Sequence, residues 1–371
     1  MLTKQPLYVK ILSVLLILCI VFYTFFIAQG IILPLGFAFL MAVLLYPLEK
    51  LLVKIRLPRV AAIIVALLVA SLTAFLVVAL ISYQLASFLD DLPGIKKNLN
   101  DFFVNAQSWL DKTFHISKRQ QDIAISDAGK NTLTSAKAAA GSTLGALTTS
   151  LGNLLLLPIY TFLLMYYRDH LIHFVLRLFD EGEEKRVALV ISKIRKVIQQ
   201  YVTGLLMETG CVAVLNCVGL LLLGIPYAIL LGVIGAILNL IPYIGGLVAL
   251  VLTGIVTLSN TGDTGKTIGS IAVYFVVQFI DNNFLVPRII GSNVKLNALV
   301  SILAVLIGGA LCGVGGMFLS LPFVAVLKVI FENVDSLKPW GLLLGDETDA
   351  RWIKRRKGPE LAGTGADQTP K

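Results

Sequence analysis

The residues that could carry charge chemistry in this chain stand within or beside long apolar runs: Glu208, Asp281, Arg288, Lys295, Lys328 and Glu332. A charge at the centre of a bilayer costs roughly 2.5–3.5 kcal/mol on insertion scales, so such residues face a protein interior and have a partner. Asp281 and Arg288 are seven positions apart, about two helical turns, a spacing that puts both on one helix face. That pairing reads either as a structural ion pair near the headgroups or as a setting in which Asp281 binds a proton or cation. Lys328 and Glu332, at i and i+4, read as an ion pair at a helix end. Other chemistry finds little support. Gly262-Asp-Thr-Gly-Lys-Thr267 resembles a phosphate loop, but position 260, where the motif needs glycine, is Asn260, and no strand precedes it. There is no H-E-x-x-H, no G-x-S-x-G and no second buried aspartate to pair with Asp281, so an enzyme is not expected. His170 and His173 lack further ligands, and Cys19, Cys211, Cys217 and Cys312 lack metal-site spacing and read as small buried hydrophobes. No metal and no cofactor are expected.

Two irregular stretches must position these groups. The tripeptide Ile-Pro-Tyr occurs at Ile225-Pro226-Tyr227 and again at Ile241-Pro242-Tyr243, followed by Gly245-Gly246. The apolar run between them contains Gly232, Gly235 and Asn239 and is shorter than the roughly 20 residues a spanning helix needs. The second stretch is Asp281-Asn282-Asn283 with Pro287-Arg288. Short apolar segments interrupted by glycine and proline point to a transporter's binding site. Broken backbone at membrane depth is tolerated only where it is buried in protein or lines a wet cavity. The candidate transport and coupling residues are therefore Glu208, Asn239, Pro242, Tyr243, Gly245, Gly246, Asp281, Asn282, Asn283, Pro287 and Arg288. The two stretches are expected to face one cavity near the membrane midplane.

Composition fixes the class. Of 371 residues, 57% are hydrophobic and 14% charged, which no soluble domain of this size matches. The net charge of +9 follows the Lys/Arg bias of membrane loops and does not imply nucleic acid. The expected fold is all-α and polytopic, with about six full spans, two re-entrant helical hairpins and an extracytoplasmic helical cap. Residues 1–82 form N-terminal transmembrane helices; the connector with Lys50, Lys54, Arg56 and Arg59 places the N-terminus inside. Residues 83–150 form the cap, whose half rich in Ala, Ser, Thr and Gly suits either packing on its own chain or a homo-oligomer contact. Residues 151–204 hold a span and a basic amphipathic helix lying in the cytoplasmic interface. Residues 205–334 form the transport core: hairpins over 226–258 and 296–331, and a span from Thr267 to about Val286. Residues 335–371 form a cytoplasmic tail.

The motifs resemble one family. Gly224-Ile-Pro-Tyr through Asn239-Leu-Ile-Pro-Tyr-Ile-Gly-Gly246 is similar to the signature of the autoinducer-2 exporter (AI-2E) family. So are Asp281-Asn-Asn-Phe-Leu-Val-Pro-Arg-Ile-Ile-Gly291, Gly315-Gly-Met-Phe-Leu-Ser-Leu-Pro-Phe323, Pro158-Ile-Tyr-Thr-Phe and Tyr201-Val-Thr-Gly204. The resemblance implies a multi-pass transporter of the bacterial inner membrane. It implies export of a small polar metabolite or signal such as autoinducer-2, driven by a proton or sodium gradient, or else sodium(lithium)/proton antiport. A reading from another class is a non-transporting oligomeric scaffold or passive pore. Transport is favoured because a scaffold has no need of an acid beside broken backbone.

Overall fold

The computed structural model describes residues 6–91, 151–180, 182–241, 245–289 and 296–345, with positions 94, 98 and 104. Most of the expected cap, residues 136–149 with their proposed subunit contact, Pro242, Tyr243 and Lys295 lie outside the described residues. The elements are helical: α1 Leu7–Ile27, α2 Gln29–Lys54, α3 Arg59–Asp90, α4 Leu151–Tyr166, α5 Arg168–Leu176, α6 Glu184–Leu222, α7 Ala228–Asn239, α8 Gly245–Thr261 and α9 Thr264–Ile280. A π turn, Asp281–Leu285, leads into α10 Val286–Ile289; α11 Ala298–Asn333 and α12 Lys338–Leu344 complete the order.

Among the described residues, five helices are long and apolar enough to cross a membrane: Gln29–Lys54, Arg59–Phe88, Glu184–Leu222, Thr264–Ile289 and Ala298–Asn333. Their outward faces carry large apolar side chains; Leu68, Leu72, Phe75 and Leu76 on α3 are all exposed. Apolar surface on this scale marks a lipid-facing exterior. The chain is an all-α polytopic membrane protein. The cysteines fit this solvent and correct the expectation of burial: Cys19 and Cys211 are exposed and Cys217 and Cys312 half-buried. On a lipid-facing helix, exposure of a small hydrophobe costs little.

One element differs from the sequence reading. The basic amphipathic stretch and the span after it are one helix, α6, of 39 residues, about 58 Å long. No proline interrupts it, and its basal turns are tied to the end of α11 by Arg186, which donates to the carbonyl of Asn333 (2.6 Å) and to Asp335 (2.9 Å), and by Lys193 on Asn333 (2.9 Å). α11 folds back on itself: Cys312 and Gly313 leave the helix, with Gly313 at φ 60°, ψ −150°, a region open essentially to glycine alone. Its arms approach so closely that a Cβ on Gly308 would collide with the Gly316 carbonyl. Both ends of α11 therefore lie together. Asn297, before its first turn, donates to the Leu343 carbonyl of α12 at 2.7 Å.

α7 and α8 form a second hairpin, packed against α6 and α9. Leu220, Ile225, Ala228, Leu231, Ala249, Val256 and Tyr274 make its core. A separate cluster joins Leu40 and Val43 of α2 to Ile198, Tyr201, Val202 and Leu205 of α6, with Leu240 and Phe318 from the two hairpins packed against it. The hairpins thus meet from opposite ends of the bundle.

At the end where α2 meets α3, Glu49 is 3% exposed. It receives Arg168 at 3.0 Å, and Arg59 Nε lies 3.5 Å away. Arg59 also donates to Asp169 (2.7 Å) and to the Met165 carbonyl (3.0 Å). Arg168 and Arg195 stand over the Tyr46 ring at 4.5 and 4.7 Å. This clasp ties α2, α3, α4 and α6 together. The other end carries the roots of the α7–α8 hairpin, Gly224–Tyr227 and Gly262–Asp263.

Candidate functional site

Three helices bring polar groups to one depth. Glu208 sits 14 residues before the end of α6, about 21 Å in. Asn239 ends α7, 12 residues from its start, about 18 Å. Asp281 comes after the 17 residues of α9, about 26 Å. Measured from the same end of the bundle, all three lie in its middle.

Each position has a local cause. α7 stops at Asn239 because Pro242 cannot donate a backbone bond three residues further on. α8 restarts at Gly245 because the chain turns too tightly for a side chain: a Cβ there would run into the Leu238 carbonyl. At Gly246 a Cβ would lie 2.5 Å from Gln278 Oε1 and 3.4 Å from Asn239 Oδ1. α9 widens into a π turn at Asp281, where the Val286 N–H bonds the Asp281 carbonyl five residues back. Pro287 explains the turn, since it removes one donor and its ring crowds the carbonyl of residue i−4. Single π turns inside helices concentrate at functional sites. Gly262-Asp-Thr-Gly-Lys-Thr267 is the start of α9: Asp263 caps it by accepting from Gly265 N (2.7 Å) and Lys266 N (3.3 Å).

The side chains converge. Asn239 donates one amide hydrogen to Glu208 at 3.1 Å and the other to Asp281 at 2.9 Å. One amide thus brings the two carboxyl groups to the same place. Glu208 and Asp281 are 4% and 2% exposed. Beside them is a cavity of about 10 Å³, near the room one water needs. Asn216, Gly246, Tyr274 and Gln278 line it with Asn239 and Asp281. Among the described residues, Asp281 Oδ1 and Asn216 Oδ1 are buried acceptors without a partner. Two of the nearby donors are committed elsewhere: Asn239 to the two acids, and the Tyr274 hydroxyl to the Leu231 carbonyl at 2.8 Å. Such a cavity suits an occupant that donates hydrogen bonds or carries positive charge.

Of the expected residues, Glu208, Asn239, Gly246 and Asp281 come together, with Gly245 making the turn beneath them. Asn282, Asn283, Pro287 and Arg288 are exposed and lie outside the buried cluster. Gln278 reaches Asn282 at 3.4 Å, and Asn283 bonds the Phe279 carbonyl at 2.9 Å. The Asp281–Arg288 pairing does not form among the described residues. The π turn spends an extra residue and rotates the helix beyond it by about 100°, so the seven-residue spacing no longer means one face. Asp281 meets Glu208, a second buried carboxyl that no spacing along its own helix could supply. Asn216 and Gln278 are additions. The available signal for Asn216 was its place eight residues after Glu208, in the apolar second half of the same helix. Lys328 and Glu332 do pair, at 3.5 Å. Among the described residues no group of three metal-ligating side chains occurs.

The chain is 26% identical over 341 residues to YueF of Bacillus subtilis, provisionally named a transport protein; the match covers 88% of this chain and 92% of that one. It is 28% identical over 270 residues to PerM of Escherichia coli K12, provisionally named a permease, covering 70% and 74%. Residues 12–336, containing both hairpins and the acid cluster, match the family described as AI-2E family transporter, and the chain belongs to that family of membrane transport proteins.

Proposed function

We propose that the chain is a secondary transporter of the bacterial inner membrane that exports a small polar metabolite or signal of the autoinducer-2 kind, coupled to a proton or sodium gradient. It is not an enzyme. The observation that carries this is the cluster of Glu208, Asn239 and Asp281, in which two buried acids are bridged by the tip of a helical hairpin. A structural core gains nothing from two buried carboxyls gathered on one amide, since like charges repel and each is costly to desolvate. A transporter gains a charge site whose exposure changes when the hairpin moves.

The Lys/Arg rule sets the sides. Arg59, Arg168, Arg186, Lys193 and Arg195 cluster at the Glu49 end, which is therefore cytoplasmic, with both chain termini. α7–α8 then enters and leaves from outside and α11 from inside, both as re-entrant hairpins. The acceptor-lined cavity also favours a second reading, sodium(lithium)/proton antiport without an organic solute.

Purified protein in proteoliposomes tests both. Imposed proton or sodium gradients should drive flux of the exported solute, and Asp281→Asn should abolish gradient-driven flux while insertion survives. Sodium-for-proton exchange without any solute selects the antiport reading. Normal gradient-driven flux in Asp281→Asn rejects the coupling site.

A further inference from the structure

The first Ile-Pro-Tyr forms the root of α7, and its tyrosine is held unusually. Tyr227 has φ 58°, ψ 26°, the left-handed region that a bulky side chain occupies only when its surroundings hold it there. Its hydroxyl donates to the Asp91 carboxylate and lies 3.4 Å from the Ser87 carbonyl. Its ring meets Phe88 edge-on, centroids 5.6 Å apart. Phe88 in turn packs against the core that contains Leu220, Ile225 and Ala228. What holds Tyr227 is therefore the last turn of α3, where the chain departs towards residues 95–150.

The rest of α7 lies close against its neighbours. It faces α6 through Gly232, where a Cβ would lie 2.5 Å from Cys217 Sγ, and α9 through Gly235, where a Cβ would collide with the Tyr274 hydroxyl. Glycines let the backbones approach closely at these contacts. Three polar ties add direction to this packing: Asn239 at the tip, Tyr274 on the Leu231 carbonyl midway, and Tyr227 on Asp91 at the root.

We propose that the Tyr227–Asp91 bond is a latch that keeps the α7–α8 hairpin closed against α6, and that its release lets α7 swing at the Gly224–Tyr227 root to open the acid cluster to the outside. Breaking the bond frees Tyr227 to leave the left-handed conformation, so opening relieves strain at the pivot itself. The latch also connects the hairpin to α3, so that a shift at the outer end of α3 reaches the site. The proposal rests on the hairpin being the moving element and adds the contact that restrains it.

Cys217 is a native reporter. Its Sγ lies 3.7 Å from the Ile229 carbonyl, beneath the first turns of α7. In a full-length background with Cys19, Cys211 and Cys312 changed to alanine, the rate of its modification by a membrane-impermeant maleimide is measured in nanodiscs. Tyr227→Phe removes only the hydroxyl and Asp91→Asn only the charge. Each should raise the rate about tenfold, the effect of losing one charged hydrogen bond. The double variant should react no faster than either single one. Melting temperatures should stay within a few degrees, and a background retaining Cys312 alone should show an unchanged rate there, since general loosening would raise both. Unchanged Cys217 rates in both variants, effects that multiply in the double variant, or a parallel rise at Cys312 would overturn the latch. Loss of the coupling reading looks different: Asp281→Asn would transport normally while the latch variants still exposed Cys217.

Discussion

Asn239 donates to Asp281 at 2.9 Å across 42 positions of sequence, and the same amide reaches Glu208 at 3.1 Å. It is the only described side chain that touches both acids through its donors. Asn239→Leu removes both bonds and leaves two desolvated carboxyls facing each other. A hydrogen bond to a charged group contributes about 1.5–3 kcal/mol, so a loss of about 3 kcal/mol is expected, read as a lower melting temperature in detergent. Glu208→Gln, which keeps an acceptor for the amide and removes the repulsion, should melt at or above the parent temperature. A variant Asn239→Leu as stable as the parent would show that the cluster is not formed as described.

The sequence announced the depth and the breaks but not the partners. Glycine and proline at Gly245, Gly246 and Pro287, set in apolar runs, made the interruptions visible, because backbone without a helical partner must be sheltered. Composition alone gave the class. Which acid faces which depended on a register that one π turn altered, and on the crossing of α6 with α9, which brings Glu208 and Asp281 together over 73 positions. Local spacing carries neither. The fold-back of α11 was legible in Gly308, Gly309, Gly313, Gly315 and Gly316, whose density has no use in a straight span. The continuity of α6 was not, since charge pattern suggested a helix lying along the interface while backbone hydrogen bonding ran on without a break.

The two glycines of the hairpin tip should differ in tolerance. At Gly245 the obstacle to a Cβ is the Leu238 carbonyl, which is backbone; at Gly246 it is the far end of the Gln278 side chain. A side chain can rotate away and backbone cannot. Gly245→Ala should cost about 3 kcal/mol and Gly246→Ala about 1 kcal/mol, within the range for overpacking. Thermal unfolding of both variants checks the order, and the reverse order would contradict the tip geometry.

The Glu49 clasp should matter for assembly and show its pH dependence only in acid. Glu49→Gln leaves Arg59 and Arg168 without their buried partner. Removing one member of a fully buried pair costs about 3–5 kcal/mol. The two arginines here are 36% and 28% exposed, which lowers the expected cost to about 2 kcal/mol. Burial works to raise the Asp169 carboxyl, but the hydrogen bonds and charges of Arg168 and Arg59 outweigh it and hold the group below its ordinary value of 3.8. Linkage gives the sign: a depressed folded value gives stability that is present above pH 3.8 and is lost as pH falls through the folded value. Asp169→Asn should therefore leave unfolding unchanged in shape between about pH 8 and 5 and flatten the loss seen below about pH 4. A clasp-dependent transition near neutral pH would rule this out.

Both hairpins should return to the side from which they enter, and accessibility can show it. Asn297 and Leu343 are bonded at 2.7 Å, so the start of α11 and the helix after its end share one side. Gly224 and Gly262 bracket the other hairpin, and a Cβ on Gly224 would lie 4.0 Å from Lys266 Nζ, which places both its roots together as well. With the Glu49 end inside, single cysteines at Asn297 and Asp335 should be protected from an impermeant thiol reagent in intact cells and react only after permeabilisation. Cysteines at Gly262 and Lys266 should react in intact cells. If α11 instead crossed the membrane once, Asn297 and Asp335 would react from opposite sides. That pattern would also require the 2.7 Å bond between Asn297 and Leu343 to be absent, because no side chain spans about 30 Å of hydrocarbon.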